Sequence, residues 1–449
     1  MYSGKAGIIG LGESNYRLVE YLLQNSHSEI FVSEKGKLDL EKKEFLKTNN
    51  IEFEESGHTE KLYDCDWFIL SPGISPHSEV GERILSSGKP FTTELEFALD
   101  KLKKLEHGVI VGITGTNGKS TVTTMVGHIA KKSGLKTFIG GNLGTPLISS
   151  INERFDVYVV EVSSFQLTWF GKKEKYFHLS SILNIAQDHL DYHRDMREYA
   201  LAKLKIIELT SGSSIINSEI LENFGDLLVD KTKKQIIPFS TRKDSFFCLK
   251  DGIMRLHKLS ISLDSLNFPG IHNQENAAIT LGLAQFLGIH VHDALEKLQD
   301  YAFLDHRMQK CGQINGVTFI NDSKATNAHA VINALENFDL EKVIIILSGK
   351  EKREDYTPLI KKISRVKHII FLGDSLKSLI ERLKKKGITY DVVHTIDEAL
   401  KKAVELSKAG DIVLFSPGGS SFDLYKNYKE RGKDFVKAFN NLIKREEVI

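Results

Sequence analysis

At 449 residues the chain exceeds what one ordinary hydrophobic core holds, so two or three domains of about 100 to 200 residues are expected. Lysine and arginine total 60 against 59 aspartates and glutamates; a net charge of +1 provides no bulk electrostatic footprint for nucleic acid, and any anionic ligand must be held by local groups. Cys65, Cys248 and Cys311 lack CxxC spacing, the N-terminus lacks a signal-peptide pattern, and no apolar run nears the roughly 20 residues of a membrane helix, so a soluble, cytoplasmic protein is expected; a monomer is expected as well.

Short β-branched runs followed by glycine and then a helical pattern recur along the chain. That is the signature of βα units and parallel sheets, so the expected fold class is α/β from end to end. The first region, 1–103, opens with a strand at 6–9, a glycine-rich turn and an amphipathic helix through Leu18, Leu22 and Leu23. Its Gly10-Leu-Gly12-Glu-Ser-Asn15 segment lacks the third glycine of a dinucleotide fingerprint, which disfavours a nicotinamide dehydrogenase. A second region, 104–304, carries predicted strands at 109–113, 156–162 and 179–185. A third, 305–449, carries predicted strands near 317–320, 343–347, 369–372 and 412–415. The stretch 211–266 mixes lysine-rich turns with short alternating runs and is the least legible part.

The strongest local signal is Gly112-Ile-Thr-Gly-Thr-Asn-Gly-Lys-Ser120, between a predicted strand and the helical pattern 121–132. Backbone N–H groups freed by glycine can face phosphate oxygens, Lys119 can reach the β- and γ-phosphates, and Ser120 can bind Mg²⁺. The spacing departs from the ordinary phosphate loop, because Ile113 stands where the first glycine of GxxxxGK[ST] belongs. A purely structural glycine turn is the alternative; the strand and helix on either side favour a phosphate loop. Glu161, at the end of a predicted strand, can complete a Mg²⁺ site with Ser120. Taken alone, His189 reads as a loop histidine and Lys203 as one of many solvated lysines on a helix.

The sequence GxTGTNGKST resembles the ATP loop of the Mur ligases and of the folylpolyglutamate synthetases, both of which join an amino acid to a carboxylate. Further motifs follow in the order of the Mur ligase family. They are Gly141-Asn142-Leu-Gly144, Glu161-Val-Ser-Ser-Phe-Gln166, Asn184-Ile-Ala-Gln-Asp-His189-Leu-Asp191, Ala202-Lys203-Leu204, His272-Asn273 with Asn276, His306-Arg307, and Asn321-Asp322-Ser-Lys324-Ala-Thr326-Asn327. The resemblance covers essentially the whole chain. It implies ATP binding by Gly115, Thr116, Asn117, Gly118, Lys119, Ser120, Thr121, Asn276, Arg307 and Asp322, with Lys119, His189, Lys203 and Arg307 in the chemistry. It also implies Mg²⁺ held by Ser120, Glu161, His189 and a Lys203 carbamylated by CO₂, a modification that requires the neutral amine.

By the same resemblance, the first domain grips the UDP of a UDP-sugar through Ser14, Lys35 and Ser71, with Asn142, Ser163 and Gln166 also on the sugar nucleotide. Solvated surface is the alternative for Lys35. The C-terminal run Ser416-Pro-Gly-Gly-Ser-Ser421-Phe-Asp423, with Lys426-Asn427-Tyr428 and Arg431-Gly432, is similar to the D-glutamate-adding branch. Thr326, Lys352, Ser421 and Tyr428 would then hold D-glutamate, to be joined to UDP-N-acetylmuramoyl-L-alanine. The implied architecture is a Rossmann-like N-terminal domain, a central ATPase domain with a mainly parallel sheet, and a Rossmann-like C-terminal domain, with the active site between them. A nucleotide-dependent switch that makes no bond is the rival reading. ATP consumption that requires both the sugar nucleotide and D-glutamate decides against it.

Overall fold

The structure is a computed structural model that describes residues 3–26, 28–106, 108–266, 268, 270–352 and 354–446. The described residues form three sheets distributed over two compact units. The first unit comprises residues 1–185, 192–265 and 276–299; the second comprises 186–191, 266–275 and 300–449.

In the first unit, β1 (Ala6–Ile9), β2 (Ile30–Glu34), β3 (Glu52–Glu55), β4 (Trp67–Leu70) and β5 (Phe91–Thr92) form a parallel sheet of order β3-β2-β1-β4-β5. Strands β1 and β4 are wholly buried, which explains their uninterrupted AGII and WFIL sequences: a parallel strand covered on both faces has no solvent side to alternate with. The second sheet, of nine strands, holds β6 (Val109–Thr114), β7 (Thr137–Gly141), β8 (Val157–Glu161), β9 (Leu179–Ile182), β10 (Ser214–Asn217), β11 (Ile236–Ser240), β12 (Phe247–Lys250), β13 (Ile253–Leu256) and β14 (Leu259–Ser262). Its order is β14-β13-β12-β11-β10-β9-β6-β8-β7. The two sheets share one apolar core that runs from Ile8, Val32 and Leu99 to Leu147, Val160 and Phe177. The predicted boundary at 103 falls inside the helix Glu94–Lys104, whose Glu94 accepts the Ile148 N–H at 2.7 Å.

The second unit is built on β15 (Gln309–Ile314), β16 (Val317–Asn321), β17 (Val343–Ser348), β18 (His368–Leu372), β19 (Asp391–Val393) and β20 (Ile412–Gly418). Their order is β15-β16-β20-β17-β18-β19, with every pairing parallel except β15 against β16. Helices cover both faces. Leu359, Leu379 and Leu383 pack on one side, and Leu400, Phe435 and Phe439 on the other. Among the described residues no helix is long and apolar enough to cross a membrane.

Candidate active site

In the first unit the functional groups gather where neighbouring parallel strands end. Strand β6 pairs with β8 and β9 so that Ile113 lies beside Glu161 and Thr114 beside Ile182. The loop after β6, the carboxylate ending β8 and the segment after β9 therefore emerge on one edge, where ligands of open α/β sheets bind. The loop 115–118 enters the helix Lys119–Lys132 through Gly118, whose φ of 82° is left-handed. A Cβ there would lie 2.6 Å from Asn276 Oδ1, so both conformation and space demand glycine. Asn184 clamps the loop from β9: its backbone carbonyl accepts the Thr116 N–H (2.9 Å) and its Oδ1 accepts the Asn117 N–H (2.8 Å). The Thr116 hydroxyl shares a hydrogen bond with Tyr199 OH at 3.0 Å. Lys119 folds over the loop and donates to the Gly115 and Thr116 carbonyls, both at 2.9 Å.

Lys203 overturns its bare reading as a solvated lysine. It is 1 % exposed on the helix Met196–Glu208, donates to the Gly115 carbonyl at 2.8 Å and lies 4.6 Å from the Tyr199 ring. Burying a lysine is costly, and here the side chain is brought directly to the phosphate loop. Glu161 is also buried, and its Oε1 accepts from Asn142 Nδ2 at 2.8 Å. Among the described residues no three His, Cys, Asp or Glu side chains form a metal cluster. The donor set nevertheless fits Mg²⁺: the Ser120 hydroxyl and one carboxylate are hard oxygen donors, and Mg²⁺ in nucleotide sites takes most other ligands from phosphate and water. Ser163 and Gln166 form a capping box on the helix Ser164–Thr168, each side chain bonded to the other's backbone N–H.

Ser14, Lys35 and Ser71 follow β1, β2 and β4, at the matching edge of the first sheet; Lys35 is exposed. The loop after β4 is tied to the second sheet's segments. Trp169 Nε1 and Tyr192 OH both donate to the Ile74 carbonyl (2.8 and 2.9 Å), and His77 Nε2 lies 2.5 Å from Glu198 Oε1, on the helix of Lys203.

The second unit assembles a site from side chains. Asp188, 4 % exposed, pairs with Lys352 Nζ at 2.8 Å, accepts from Asn327 Nδ2 at 2.9 Å and accepts the His189 N–H at 2.8 Å. Burial raises the Asp188 carboxyl, but the His189 and Lys352 charges and the Lys352 and Asn327 hydrogen bonds outweigh it and hold it down at about 2. Asn327 also caps the helix Ala328–Leu335, and Glu354 accepts the Ala328 N–H at 2.8 Å. Burial pushes Glu354 up to about 7, with Asp188 adding to the rise. Asp322, at the end of β16, is likewise driven to about 7 by burial, against the opposing Ser416 hydroxyl, Met308 N–H and Arg307 charge.

Thr326 lies beside Asn327, and buried Ser421, whose carbonyl accepts the Tyr425 N–H, begins a turn after β20 in which Phe422 and Leu424 are exposed. The Tyr428 carbonyl accepts from Ser323 Oγ at 2.9 Å, and fully buried Arg431 fastens Ser323 and Gly419. Thus Arg307, Asp322, Thr326, Lys352, Ser421, Tyr428 and His189 all belong to the second unit. Sequence reasoning assigned no role to Asn184, Asp188, Tyr199, Asn327 or Glu354. Three of them stand inside the family motifs, so the signal was present; Tyr199 and Glu354 carried none.

Comparison with known proteins agrees over the length of the chain. Residues 5–80 match the MurD N-terminal domain, 113–284 the Mur ligase middle domain, and 306–419 the Mur ligase glutamate ligase domain. The UDP-N-acetylmuramoylalanine–D-glutamate ligase of Thermotoga petrophila is 40 % identical over 437 residues, 97 % of this chain and 98 % of the relative. The protein of the same name from Thermotoga maritima is 41 % identical over the same shares. Among solved structures, a pseudomurein peptide ligase type C from Methanothermus fervidus has a TM-score of 0.60 at 19 % identity, covering 98 % of this chain and 100 % of its own. The UDP-N-acetylmuramate–alanine ligase of Thermotoga maritima has a TM-score of 0.58 at 21 % identity, covering 97 % and 99 %. At these identities the two structures establish the shared fold.

Proposed function

The chain belongs to the Mur ligase family, and on that premise we propose that it joins D-glutamate to UDP-N-acetylmuramoyl-L-alanine at the expense of ATP, a step of peptidoglycan synthesis carried out in the cytoplasm. The observation that carries this reading is the 40 % identity spread over 97 % of the chain to a ligase of that name. The three sheets serve as domains for UDP-sugar, ATP and amino acid, divided near residues 103 and 304.

The γ-phosphoryl group passes to the L-alanine carboxylate, giving an acyl phosphate and ADP. The D-glutamate amine, having lost a proton, attacks the acyl carbon. The tetrahedral intermediate gives up its second amine proton to the departing phosphate and collapses, the C–N bond replaces the C–O bond to phosphate, and hydrogen phosphate leaves. The protein supplies no nucleophile; it positions groups and stabilises charge. Backbone N–H groups of Gly115 to Thr121 and the ammonium of Lys119 hold the phosphates, with Asn276, Arg307 and Asp322 as further nucleotide contacts. Mg²⁺, when bound, offsets charge on the phosphate oxygens, and Ser120, Glu161, His189 and Lys203 would hold it. Lys203 serves as a carbamate: its neutral amine attacks CO₂, an N–C bond forms, one C–O π pair moves to oxygen, and the amine proton leaves to solvent. Its burial with Nζ 2.8 Å from the Gly115 carbonyl supports this, since carbamate oxygens added at Nζ would lie beside the loop proposed to hold the phosphates. Ser14, Lys35, Ser71, Asn142, Ser163 and Gln166 bind the sugar nucleotide, and Thr326, Lys352, Ser421 and Tyr428 the D-glutamate. The enzyme acts as a monomer.

Coupled phosphate release against a panel of amino acids and UDP-sugars tests the reading. Turnover is expected only when UDP-N-acetylmuramoyl-L-alanine and D-glutamate are both present. Equal use of D-alanine, or a preference for L-lysine or diaminopimelate, would reassign the chain to another branch of the family.

A further inference from the structure

On the D-glutamate reading above Lys352 meets a substrate carboxylate, yet a lysine is a flexible four-carbon stem ending in a point charge, and it is poorly placed unless something fixes it. In this structure Asp188 does so. Its Oδ1 lies 2.8 Å from Lys352 Nζ, and the pair is well buried, with the two side chains 13 % and 5 % exposed. Asp188 does not move freely in turn. Asn327 Nδ2 holds Oδ2 at 2.9 Å and the His189 N–H holds Oδ1 at 2.8 Å. Asn327 is itself fixed as the cap of the helix Ala328–Leu335, where its Oδ1 accepts the Ala330 N–H at 2.8 Å.

Buried ion pairs contribute little net stability compared with apolar residues of the same shape, so a four-membered polar network is poorly explained as a stabilising device alone. Its geometry has a functional use. One Lys352 N–H bond points at Asp188, two remain for an incoming carboxylate, and the ammonium is placed before the substrate arrives. The same carboxylate fastens the backbone of His189, so a single side chain sets both groups.

We propose that Asp188 is a positioning residue for amino-acid selection: it holds Lys352 at the place where the D-glutamate carboxylate binds and registers the Thr326–Asn327 segment beside it. This rests on the D-glutamate reading above. Asp188 touches no substrate atom and acts through Lys352.

Steady-state kinetics on Asp188→Asn, on Lys352→Gln and on the double variant test the proposal, with each of the three substrates varied in turn. The expected result for Asp188→Asn is a KM for D-glutamate raised about tenfold or more, with kcat within about threefold and the KM values for ATP and UDP-sugar unchanged. On the Lys352→Gln background the same change is expected to have almost no further effect, because the residue it positions is gone. Should Asp188→Asn fail to fold, Asn327→Ala removes one of the bonds that fix Asp188 and is expected to raise the same KM by a smaller factor. An unchanged or lowered KM for D-glutamate would overturn the proposal, as would additive effects in the double variant or a loss confined to kcat and thermal stability. Wild-type enzyme that ignores D-glutamate would instead defeat the functional reading.

Discussion

The loop proposed to hold phosphate in the first unit and the region proposed to hold a carboxylate in the second are built in opposite ways. The loop is built mainly from backbone. Its residues are contiguous, its shape depends on the left-handed Gly118, and Asn184 clamps it through main-chain partners. The second site is built from side chains far apart in sequence: Asp188 meets Lys352 across 164 residues and Asn327 across 139. A backbone cradle binds any phosphate chain and tolerates little change in the glycines, whereas a side-chain network can be retuned one residue at a time. The first suits a nucleotide common to many enzymes, and the second suits selection among amino acids.

The largest expected effect breaks the loop's charge. Lys119→Ala should abolish turnover, a loss of at least about a thousandfold, because it removes the ammonium proposed to stabilise the transferring phosphoryl group. Calorimetry should show UDP-sugar binding nearly intact, since Lys119 is not among the six residues proposed for that ligand and three of them, Ser14, Lys35 and Ser71, stand at the first sheet. Lys203→Ala should be comparably impaired and partly rescued by a small carboxylic acid that replaces the carbamate oxygens; a fully active Lys203→Ala enzyme would remove the carbamate from the scheme.

A pH titration of stability sharpens the contrast, because the second unit contains buried acids. Asp322 has an ordinary value of 3.8 and a folded value of about 7, so the native state keeps a proton that the unfolded chain has released. Its contribution is fully favourable below about pH 4, declines as pH rises toward 7, and levels off above that. At about 1.36 kcal/mol for each tenfold change in proton affinity, the whole decline amounts to on the order of 4 kcal/mol. Denaturant unfolding from pH 4 to 8 should therefore show a steeper decline for the wild-type chain than for Asp322→Asn, and parallel curves would show that burial leaves this carboxyl at its ordinary value.

The smallest effect concerns selectivity. A substrate without the side-chain carboxylate leaves the second site's polar groups unmatched, at about 1 to 3 kcal/mol for each, which predicts discrimination of about a hundredfold in kcat/KM against D-alanine. Lys352→Ala should erode that ratio by lowering kcat/KM for D-glutamate about tenfold or more while changing D-alanine little, and Ser421→Ala should do so more mildly. Kinetics with both amino acids on the two variants measure it, and equal losses on both substrates would detach Lys352 from selection.

The α/β class, the strands at 6–9 and near 317–320 and 343–347, and the glycine-rich loop were determined by the sequence alone, because each depends on neighbours along the chain: apolar runs, glycines at fixed offsets, a strand followed by a helix. The stretch 211–266 resisted because β11 to β14 are short strands at one end of the nine-stranded sheet, of which β13 alternates buried and exposed residues, a pattern too brief to register without its partners. Lys203 shows the limit most directly. On its helix it is one lysine among several, and only the packing of that helix beneath the phosphate loop buries it and aims it at the Gly115 carbonyl. Asp188 and Lys352 were each visible as residues, but their pairing was not. Sequence periodicity records which face of an element is apolar, whereas an ion pair across 164 residues exists only after the chain has paid the entropy of bringing those elements together.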